Sequence, residues 1–169
     1  MIWAVVLAAG ASTRFGEPKQ RLLLPSVLER VRASSVDDVL VVLGAHPVET
    51  EARVVECPDW ERGPGASLRC GLAALPPDAE AAAIVLADGP DLDPRAIDRV
   101  IAAWKESGAD VVVATYRGVR LHPVLLARPA WDRIPDGGAR SLAAEEIVCD
   151  DLISPGDVDV PADLGERSP

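Results

Sequence analysis

The loop that follows the first apolar segment carries the strongest chemical signal in the sequence. Residues 7–20 read LAAGASTRFGEPKQ, a strand end followed by small residues and then by Arg14 and Lys19. Small residues let backbone N–H groups approach an anion closely, and a helix that begins there adds its positive end. Arg14 and Lys19 supply full charges, so the segment predicts a triphosphate site. The alternative, a turn with solvated charges, is disfavoured because the chain contains only two lysines.

The spacing of this loop excludes two common phosphate-binding motifs. Gly10 and Gly16 are not followed by the GK[ST] ending of a P-loop, and Ser12 and Thr13 interrupt any GxGxxG pattern. A nicotinamide-dependent oxidoreductase of the dinucleotide-binding type is therefore disfavoured. A catalytically inactive nucleotide-binding module stays open as an alternative, since binding residues and catalytic residues largely coincide.

Carboxylates supply the second signal. Asp88 directly follows the apolar run Ala82–Ala87, and Mg²⁺ prefers one or two carboxylates together with substrate phosphates. An Asx turn into Gly89 is the structural alternative. Near the end of the chain, Asp157 and Asp159 point to one face of an extended segment. Two like charges on one face are costly unless they are solvated or bridged by a cation, and a solvated acidic tail is the alternative there.

The remaining polar candidates have weaker patterns. Ser67 precedes an apolar helical run, so capping of that helix and contact with a nucleotide are equally compatible with it. His46 and His122 are the only histidines, each precedes a proline, and neither is predicted to be a general base. Arg140 lies near the start of a predicted helix. It is a candidate phosphate-binding residue, because a guanidinium can donate two parallel hydrogen bonds to phosphate oxygens.

Alternating strands and helices must position these residues. The apolar runs predict strands at 2–8, 38–43, 82–87, 110–116 and 123–127, and the helical patterns lie at 26–34, 67–75, 94–107 and 138–146. Strands that are apolar throughout indicate an α/β sandwich with a mainly parallel sheet, in which ligands bind at the carboxyl ends of the strands. We expect one domain over residues 1–169, with residues 165–169 frayed.

Composition narrows the class of protein. The chain has 169 residues, 49% apolar and 26% charged, with a net charge of −10. This acidic balance disfavours a nucleic-acid binder or a basic membrane-surface protein. No apolar run reaches the roughly 18 residues of a membrane span, so we expect a cytoplasmic protein. The three cysteines form no CxxC pair and are interpreted as reduced thiols.

The first loop resembles the signature LAAGxSxRFGxPKQ of the MobA-like NTP transferase family, which includes molybdenum cofactor cytidylyltransferase. Further segments are similar to that family's pattern and occur in the same order: Trp60–Gly63, Ser67–Leu72, Ala87–Pro90, His122–Leu125, Asp136–Arg140 and Asp157–Leu164. The resemblance covers nearly the whole chain. It implies a Rossmann-like three-layer sandwich with a mainly parallel sheet, similar to that of the nucleotide-diphospho-sugar transferases.

The resemblance also implies an activity, a transfer of a nucleoside monophosphate from CTP to a phosphorylated small-molecule acceptor such as molybdopterin, with Mg²⁺ as cofactor. A phospholactate or a sugar phosphate is an alternative acceptor. No nucleic acid or membrane partner is implied, and a transient molybdoenzyme or chaperone partner is compatible with it. On this pattern the catalytic residues are Arg14 and Lys19, the metal ligands Asp88 and Asp159, and the second-substrate residues His122 and Arg140. The nucleotide-binding residues are Leu7, Ala8, Ala9, Gly10, Ser12, Arg14, Lys19 and Ser67.

Several positions depart from the family pattern. The segment between Gln20 and Val27 is shortened, Gly89 stands where the family often has Gln, and Leu121 replaces a Gly before His122. None of these changes removes a charged residue that the reaction needs. The shortened segment and Leu121 are expected to alter the second-substrate pocket.

Overall fold

The computed structural model describes residues 1–10 and 19–156, with Lys19 and Gln20 described in their backbone only. Its strands are β1 (Ile2–Ala8), β2 (Asp38–Leu43), β3 (Arg53–Glu56), β4 (Ala81–Leu86), β5 (Val111–Tyr116), β6 (Val119–Ala127) and β7 (Glu145–Val148). Its α-helices are α1 (Lys19–Arg32), α2 (Pro64–Ala73) and α3 (Pro94–Ser107). Short 3₁₀ turns occupy Trp60–Arg62, Arg128–Arg133 and Ala139–Ser141.

The strands of the described residues form one sheet in the order β3-β2-β1-β4-β6-β5-β7. All neighbouring strands are parallel except that β6 runs antiparallel to both β4 and β5. One face of the sheet packs against α1 and α3, where Leu24, Val27, Ile97 and Val100 are buried. The other face packs against α2 through Leu68 and Leu72. This arrangement confirms the predicted three-layer α/β sandwich with a mainly parallel sheet.

Helix α3 forms where the sequence predicted it, because both of its ends carry strong signals. The Asp93 carboxylate accepts a hydrogen bond from the Arg95 N–H at 2.9 Å, which satisfies one of the free donors of the first turn. Pro94 occupies the first helical position. Gly108 follows the helix with a φ of 69°, a left-handed conformation that glycine adopts without strain.

Other boundaries differ from the predictions. The predicted helix over 138–146 is wrong, since residues 139–141 form a 3₁₀ turn and residues 145–148 form β7, which pairs with β5. Pairing with a strand distant in sequence overrides the helix propensity of the local Ala and Glu residues. Helix α1 begins at Lys19, earlier than the predicted start at Ser26, and Pro25 lies inside it. The short strand β3 was not predicted, because most of its residues are exposed and the segment contains no long apolar run.

The described part of the chain contains no helix that is both long enough and apolar enough to cross a membrane.

Candidate active site

The carboxyl ends of β1 and β4 lie side by side at the centre of the sheet. The Ala87 N–H donates to the Leu7 carbonyl at 3.0 Å, which continues the pairing of the two strands one residue past β4. Asp88 follows directly and is half-buried. The first loop therefore leaves β1 beside Asp88, at the edge of the sheet where α/β proteins bind ligands.

The described start of the first loop packs against the loop after β2. Ala8 and Ala9 are buried, Leu7 is half-buried and Gly10 is exposed. The Ala9 carbonyl accepts a hydrogen bond from the Ala45 N–H at 3.2 Å. These contacts hold the backbone of the predicted nucleotide-binding residues against the sheet.

Trp60 is half-buried and packs closely on the backbone of this region. A Cβ added to Gly44 would lie 2.6 Å from the Cβ of Trp60 and 2.8 Å from the Ala9 carbonyl oxygen. Glycine at position 44 therefore permits the indole to approach the first loop.

Several predicted site residues lie outside the part of the chain that the structure describes. Ser12 and Arg14 belong to residues 11–18, and Asp159 belongs to residues 157–169. Lys19 is the first residue of α1, but its side chain is not described. The roles of these four residues stay predictions.

Ser67 has a different structural position from the one predicted. Helix α2 begins three residues earlier, at Pro64, with Gly63 as its N-cap and no side-chain cap. Proline suits the first helical position because its missing N–H is one that the helix cannot satisfy. Ser67 instead lies inside the helix with 4% of its surface exposed. Of the two interpretations that the sequence left open, capping of the helix is wrong and contact with a nucleotide stays a prediction.

The start of α2 is tied to the segment that carries Arg140. The Gly65 N–H donates to the Asp136 carbonyl at 2.9 Å. The Arg69 guanidinium donates to the Ile134 carbonyl and to the Asp136 carboxylate, each at 2.7 Å. These contacts fix residues 134–138 against the helix and so position Arg140, which follows on the 3₁₀ turn.

We expect Gly65→Ala to destabilise the protein, because an added Cβ would lie 1.9 Å from the Pro135 carbonyl oxygen. The change gains at most about 1 kcal/mol in helix propensity, whereas displacing closely packed neighbours costs about 3 kcal/mol. The net expectation is a loss of about 2 kcal/mol in the free energy of unfolding, measured by urea denaturation.

Gly137→Ala is the matched control for this change, because a Cβ there meets no atom within 4 Å. Its free energy of unfolding should stay within about 0.5 kcal/mol of the wild-type value. A Gly65→Ala variant as stable as Gly137→Ala would show that the 134–138 segment does not approach α2 as described.

His122 is buried next to Asp88 at the end of β4. The Leu86 N–H donates to its Nδ1 at 3.5 Å, so Nε2 carries the proton, and Nε2 has no hydrogen-bond partner among the described residues. Burial lowers the pKa of His122 to about 4, although the negative charge of Asp88 acts in the opposite direction. An uncharged, weakly basic imidazole agrees with the prediction that His122 is not a general base.

The departure from the family pattern at position 89, where this chain has glycine instead of glutamine, has a steric reason. A Cβ at this position would lie 2.5 Å from His122 Nε2 and 3.1 Å from the Cβ of Pro155. The space that a side chain at position 89 would need is occupied by the imidazole. Glycine at position 89 therefore leaves the space that the buried imidazole of His122 occupies.

A cavity of about 360 Å³ opens beside His122. It is lined by the carboxyl ends of β1 and β4, by residues of β5 and β6, and by residues 137–144, and it includes the exposed Arg140. The two predicted second-substrate residues, His122 and Arg140, thus line one cavity.

Sequence reasoning missed Arg120 as a lining residue of this cavity. Its Nε donates to the Glu146 carboxylate at 2.7 Å and one terminal nitrogen donates to the Leu142 carbonyl at 3.2 Å. The spacing of Arg120 and His122 could have revealed it. Residues two positions apart on a strand share a face, and Arg120 lies two positions before His122. The strand was predicted to start only at Pro123, which hid this relation.

The cysteines have the structural character that was predicted for them. Cys57 and Cys149 are buried, Cys70 is half-buried, and all three are free thiols. Burial, together with the neighbouring Cys57, raises the pKa of Cys70 to about 11. A thiol with so high a pKa is a poor nucleophile at neutral pH.

Comparison with known proteins agrees with this geometry. The model of the MobA-like NTP transferase domain matches residues 4–147. The crystal structure of the Mycobacterium tuberculosis Rv0371c homologue from Mycobacterium sp. strain JC1 is 27% identical, with a TM-score of 0.80 over 98% of this chain and 93% of that one. Rv0371c of M. tuberculosis H37Rv, solved as a complex with manganese, is 26% identical with a TM-score of 0.74 over 98% and 96%.

A relative of named activity is the 2-C-methyl-D-erythritol 4-phosphate cytidylyltransferase of Stenotrophomonas maltophilia strain K279a, which is 30% identical in an alignment of 135 positions that covers 67% of this chain. The chain spans 56% of that enzyme's length and a smaller share of the bifunctional relatives that it also matches. The family match covers the strands, α2 and the cavity that make up the site. The chain therefore belongs to the family of the MobA-like NTP transferase domain.

Proposed function

We propose that the protein transfers CMP from CTP onto a phosphate monoester, with molybdopterin as the acceptor, and releases pyrophosphate. The observation that carries the proposal is the meeting of the first loop with Asp88 at the carboxyl ends of β1 and β4. Anion-binding backbone and a metal-binding carboxylate are the two groups that a nucleoside triphosphate requires. The cavity with Arg140 adjoins them through Leu7 and Leu86.

A divalent cation fits the donors that the chain offers at this point. Asp88 presents a half-buried carboxylate just past the central strand, and Mg²⁺ commonly takes one or two carboxylates plus substrate phosphates. No group of three or more metal-ligating side chains occurs among residues 1–10 and 19–156, which agrees with a site completed by substrate. When bound, Mg²⁺ supplies positive charge that offsets the phosphate anions.

Asp159 is the proposed second ligand. The Asp91 N–H donates to the Pro155 carbonyl at 2.9 Å, so the last described residues lie against the loop of Asp88. Asp159 is only three residues beyond Gly156, and three residues of extended chain span roughly 10 Å. The contact at Pro155 therefore supports a pairing of Asp159 with Asp88.

The chain's own residues would act by positioning and by charge. Backbone N–H groups of residues 8–10 and the hydroxyl of Ser12 would bind the nucleotide with help from Ser67, while Arg14 and Lys19 would hold the leaving β- and γ-phosphates. Arg140 would orient the acceptor's phosphate. A phosphate monoester has a second pKa of about 6 and is largely dianionic at pH 7, so it needs no general base. The uncharged, buried state of His122 is consistent with that.

Two alternatives differ in what they predict. Another acceptor is compatible with the same site, and the S. maltophilia relative's name specifies a phosphorylated methylerythritol as its substrate. A non-catalytic regulatory module would bind nucleotide without releasing pyrophosphate. The proposal includes a cytoplasmic location, one domain over the whole chain, and no nucleic-acid or membrane partner.

Isothermal titration of the protein with CTP and with GTP, with and without Mg²⁺, tests the nucleotide half of the proposal. We expect measurable binding that depends on Mg²⁺, because Mg²⁺ would bind both the carboxylate of Asp88 and the phosphates of the nucleotide. An absence of heat with both nucleotides would exclude the proposed function and the regulatory alternative together.

We expect a preference for CTP over GTP. Ala9 is 7% exposed and its carbonyl accepts a hydrogen bond from the Ala45 N–H. We infer that a methyl group at this start of the nucleotide loop restricts a purine more than a pyrimidine. One lost base contact costs on the order of 1 kcal/mol, which is roughly a fivefold preference in kcat/KM. Ala9→Gly is expected to reduce that preference, and a wild-type enzyme that favours GTP would show that position 9 does not select the base.

A further inference from the structure

The imidazole of His122 lies against the turn that carries Asp88. The Gly89 N–H closes this turn by donating to the Leu86 carbonyl at 3.3 Å. At the first residue of the turn, the Leu86 N–H donates to His122 Nδ1 at 3.5 Å. At the last residue, a Cβ added to Gly89 would lie 2.5 Å from Nε2 and 2.8 Å from Cε1 of the same ring. The ring therefore packs on both ends of the turn, with Asp88 between them.

The proton on His122 Nε2 is buried and has no acceptor. The residue is 7% exposed, and Nε2 has no hydrogen-bond partner among the described residues. A buried donor that lacks an acceptor costs free energy, so its presence in a native fold requires a reason. The ring lines the cavity that includes Arg140, but its Nε2 edge faces Gly89, which is not among the described residues that line that cavity. The reason therefore lies on the side of the Asp88 turn.

Asp88 offers an acceptor on that side. It directly precedes Gly89, and its negative charge opposes the effect of burial on the pKa of His122. A carboxylate has about four acceptor positions, so it can accept a hydrogen bond from Nε2, keep its other contacts and still bind a cation. Carboxylates that bind metals are commonly hydrogen-bonded by neighbouring groups, which fixes their orientation.

We propose that His122 is a positioning residue for the Asp88 carboxylate: its ring holds the turn of residues 86–89, and its Nε2–H donates to that carboxylate when a divalent cation is bound. The inference rests on the proposed function and gives His122 a role in addition to the predicted contact with the second substrate. His122 would act through Asp88 and would not touch the cation itself. The hydrogen bond would hold the half-buried carboxylate in one orientation, which favours cation binding.

Asparagine and glutamine at position 122 separate the two contacts of the ring. The shorter Asn amide reaches the position of Nδ1 and can still accept from the Leu86 N–H. The longer Gln amide reaches the position of Nε2 and keeps a donor there. We expect His122→Asn to weaken the binding of Mn²⁺ about tenfold, and His122→Gln to weaken it by less than about threefold. The affinity for Mn²⁺ alone is measured from the electron paramagnetic resonance signal of the free ion.

Tyr116→Phe is the matched control. The buried Tyr116 hydroxyl donates to the His122 carbonyl at 3.4 Å, so this change removes a buried contact of the same residue without altering the imidazole. We expect a lower temperature of thermal unfolding and an unchanged affinity for Mn²⁺. Equal affinity in the wild type and in both variants at position 122 would overturn the proposal. Equal losses in those two variants, or the same loss in Tyr116→Phe, would also overturn it by indicating general damage to the fold.

A measurement on the wild-type side chain covers the case in which the variants at position 122 fold poorly. His46 and His122 are the only two histidines of the chain, so ¹⁵N-labelled histidine gives two sets of ring signals in NMR spectra. The His46→Gln variant assigns the remaining set to His122. We expect the Nε2–H proton to shift downfield when Mg²⁺ saturates the protein, because donation to a carboxylate deshields it. An unmoved proton at saturating Mg²⁺ would contradict the proposal.

CTP titrated in parallel, with Mg²⁺ present, separates the two levels of inference. Wild-type protein that binds both CTP and Mn²⁺, with equal affinity for Mn²⁺ in the Asn and Gln variants, would remove the role of His122 and leave nucleotidyl transfer standing. Wild-type protein that binds Mn²⁺ but not CTP, with the expected order of the variants, would remove the proposed function and leave His122 as the positioning residue of a cation site. Binding of neither would remove both.

Discussion

Lys19→Ala is expected to lower turnover by about two to three orders of magnitude, the usual loss when one transition-state charge stabiliser is removed. Lys19 is the first residue of α1 and directly follows the segment that the sequence predicts to bind phosphate. An ammonium group there would offset charge on the leaving pyrophosphate. Steady-state measurement of pyrophosphate release, with NTP and acceptor saturating, gives the turnover.

Lys105→Ala is the matched control because Lys105 is the other lysine of the chain. It is exposed in the last turn of α3. Its removal should leave turnover and thermal stability close to those of the wild type. Equal turnover in the Lys19→Ala and Lys105→Ala variants would show that Lys19 does not contribute to the reaction.

Asp88→Asn and Asp159→Asn should each abolish metal-dependent turnover, the other large effect that we expect. Asparagine keeps the shape of the side chain but removes the negative charge that attracts Mg²⁺. Asp88 is half-buried at the end of β4, so the loss of charge should affect cation binding and leave the strand intact. Turnover at a series of Mg²⁺ concentrations distinguishes a weakened metal site from a damaged fold.

Asp91→Asn serves as the control within the same loop. The Asp91 backbone N–H, which the change preserves, makes the contact with Pro155, so we expect turnover near that of the wild type. If Asp91→Asn abolished turnover while Asp88→Asn did not, the assignment of the ligand within this loop would be wrong.

The parts of the fold that could be predicted are those with strong local signals. The apolar runs of β1, β2, β4 and β5 bury both faces of their strands, which leaves an unambiguous pattern in the sequence. Helix α3 carries Asp93, Pro94 and Gly108 at its ends. The position of Asp88 at the carboxyl end of β4 was predictable because it directly follows one of these runs, and its role as a metal ligand stays a prediction.

The parts that could not be predicted depend on contacts between distant residues. Strand β7 forms because β5 offers it an edge, and β6, which forms a hairpin with β5, also pairs with β4, a strand distant in sequence. The cavity joins Leu7, Leu86, His122 and Arg140, which are far apart in the chain. Its apolar character could not be derived from any single motif.

The most direct test of nucleotidyl transfer is pyrophosphate release from CTP in the presence of Mg²⁺ and a molybdopterin-type acceptor, with mass spectrometry of the acceptor. The account predicts one pyrophosphate released for each acceptor that gains a CMP group, and no release when the acceptor or Mg²⁺ is omitted. Tight CTP binding without pyrophosphate release, for molybdopterin and for the phospholactate and sugar phosphate alternatives alike, would contradict it and identify a nucleotide-binding module instead.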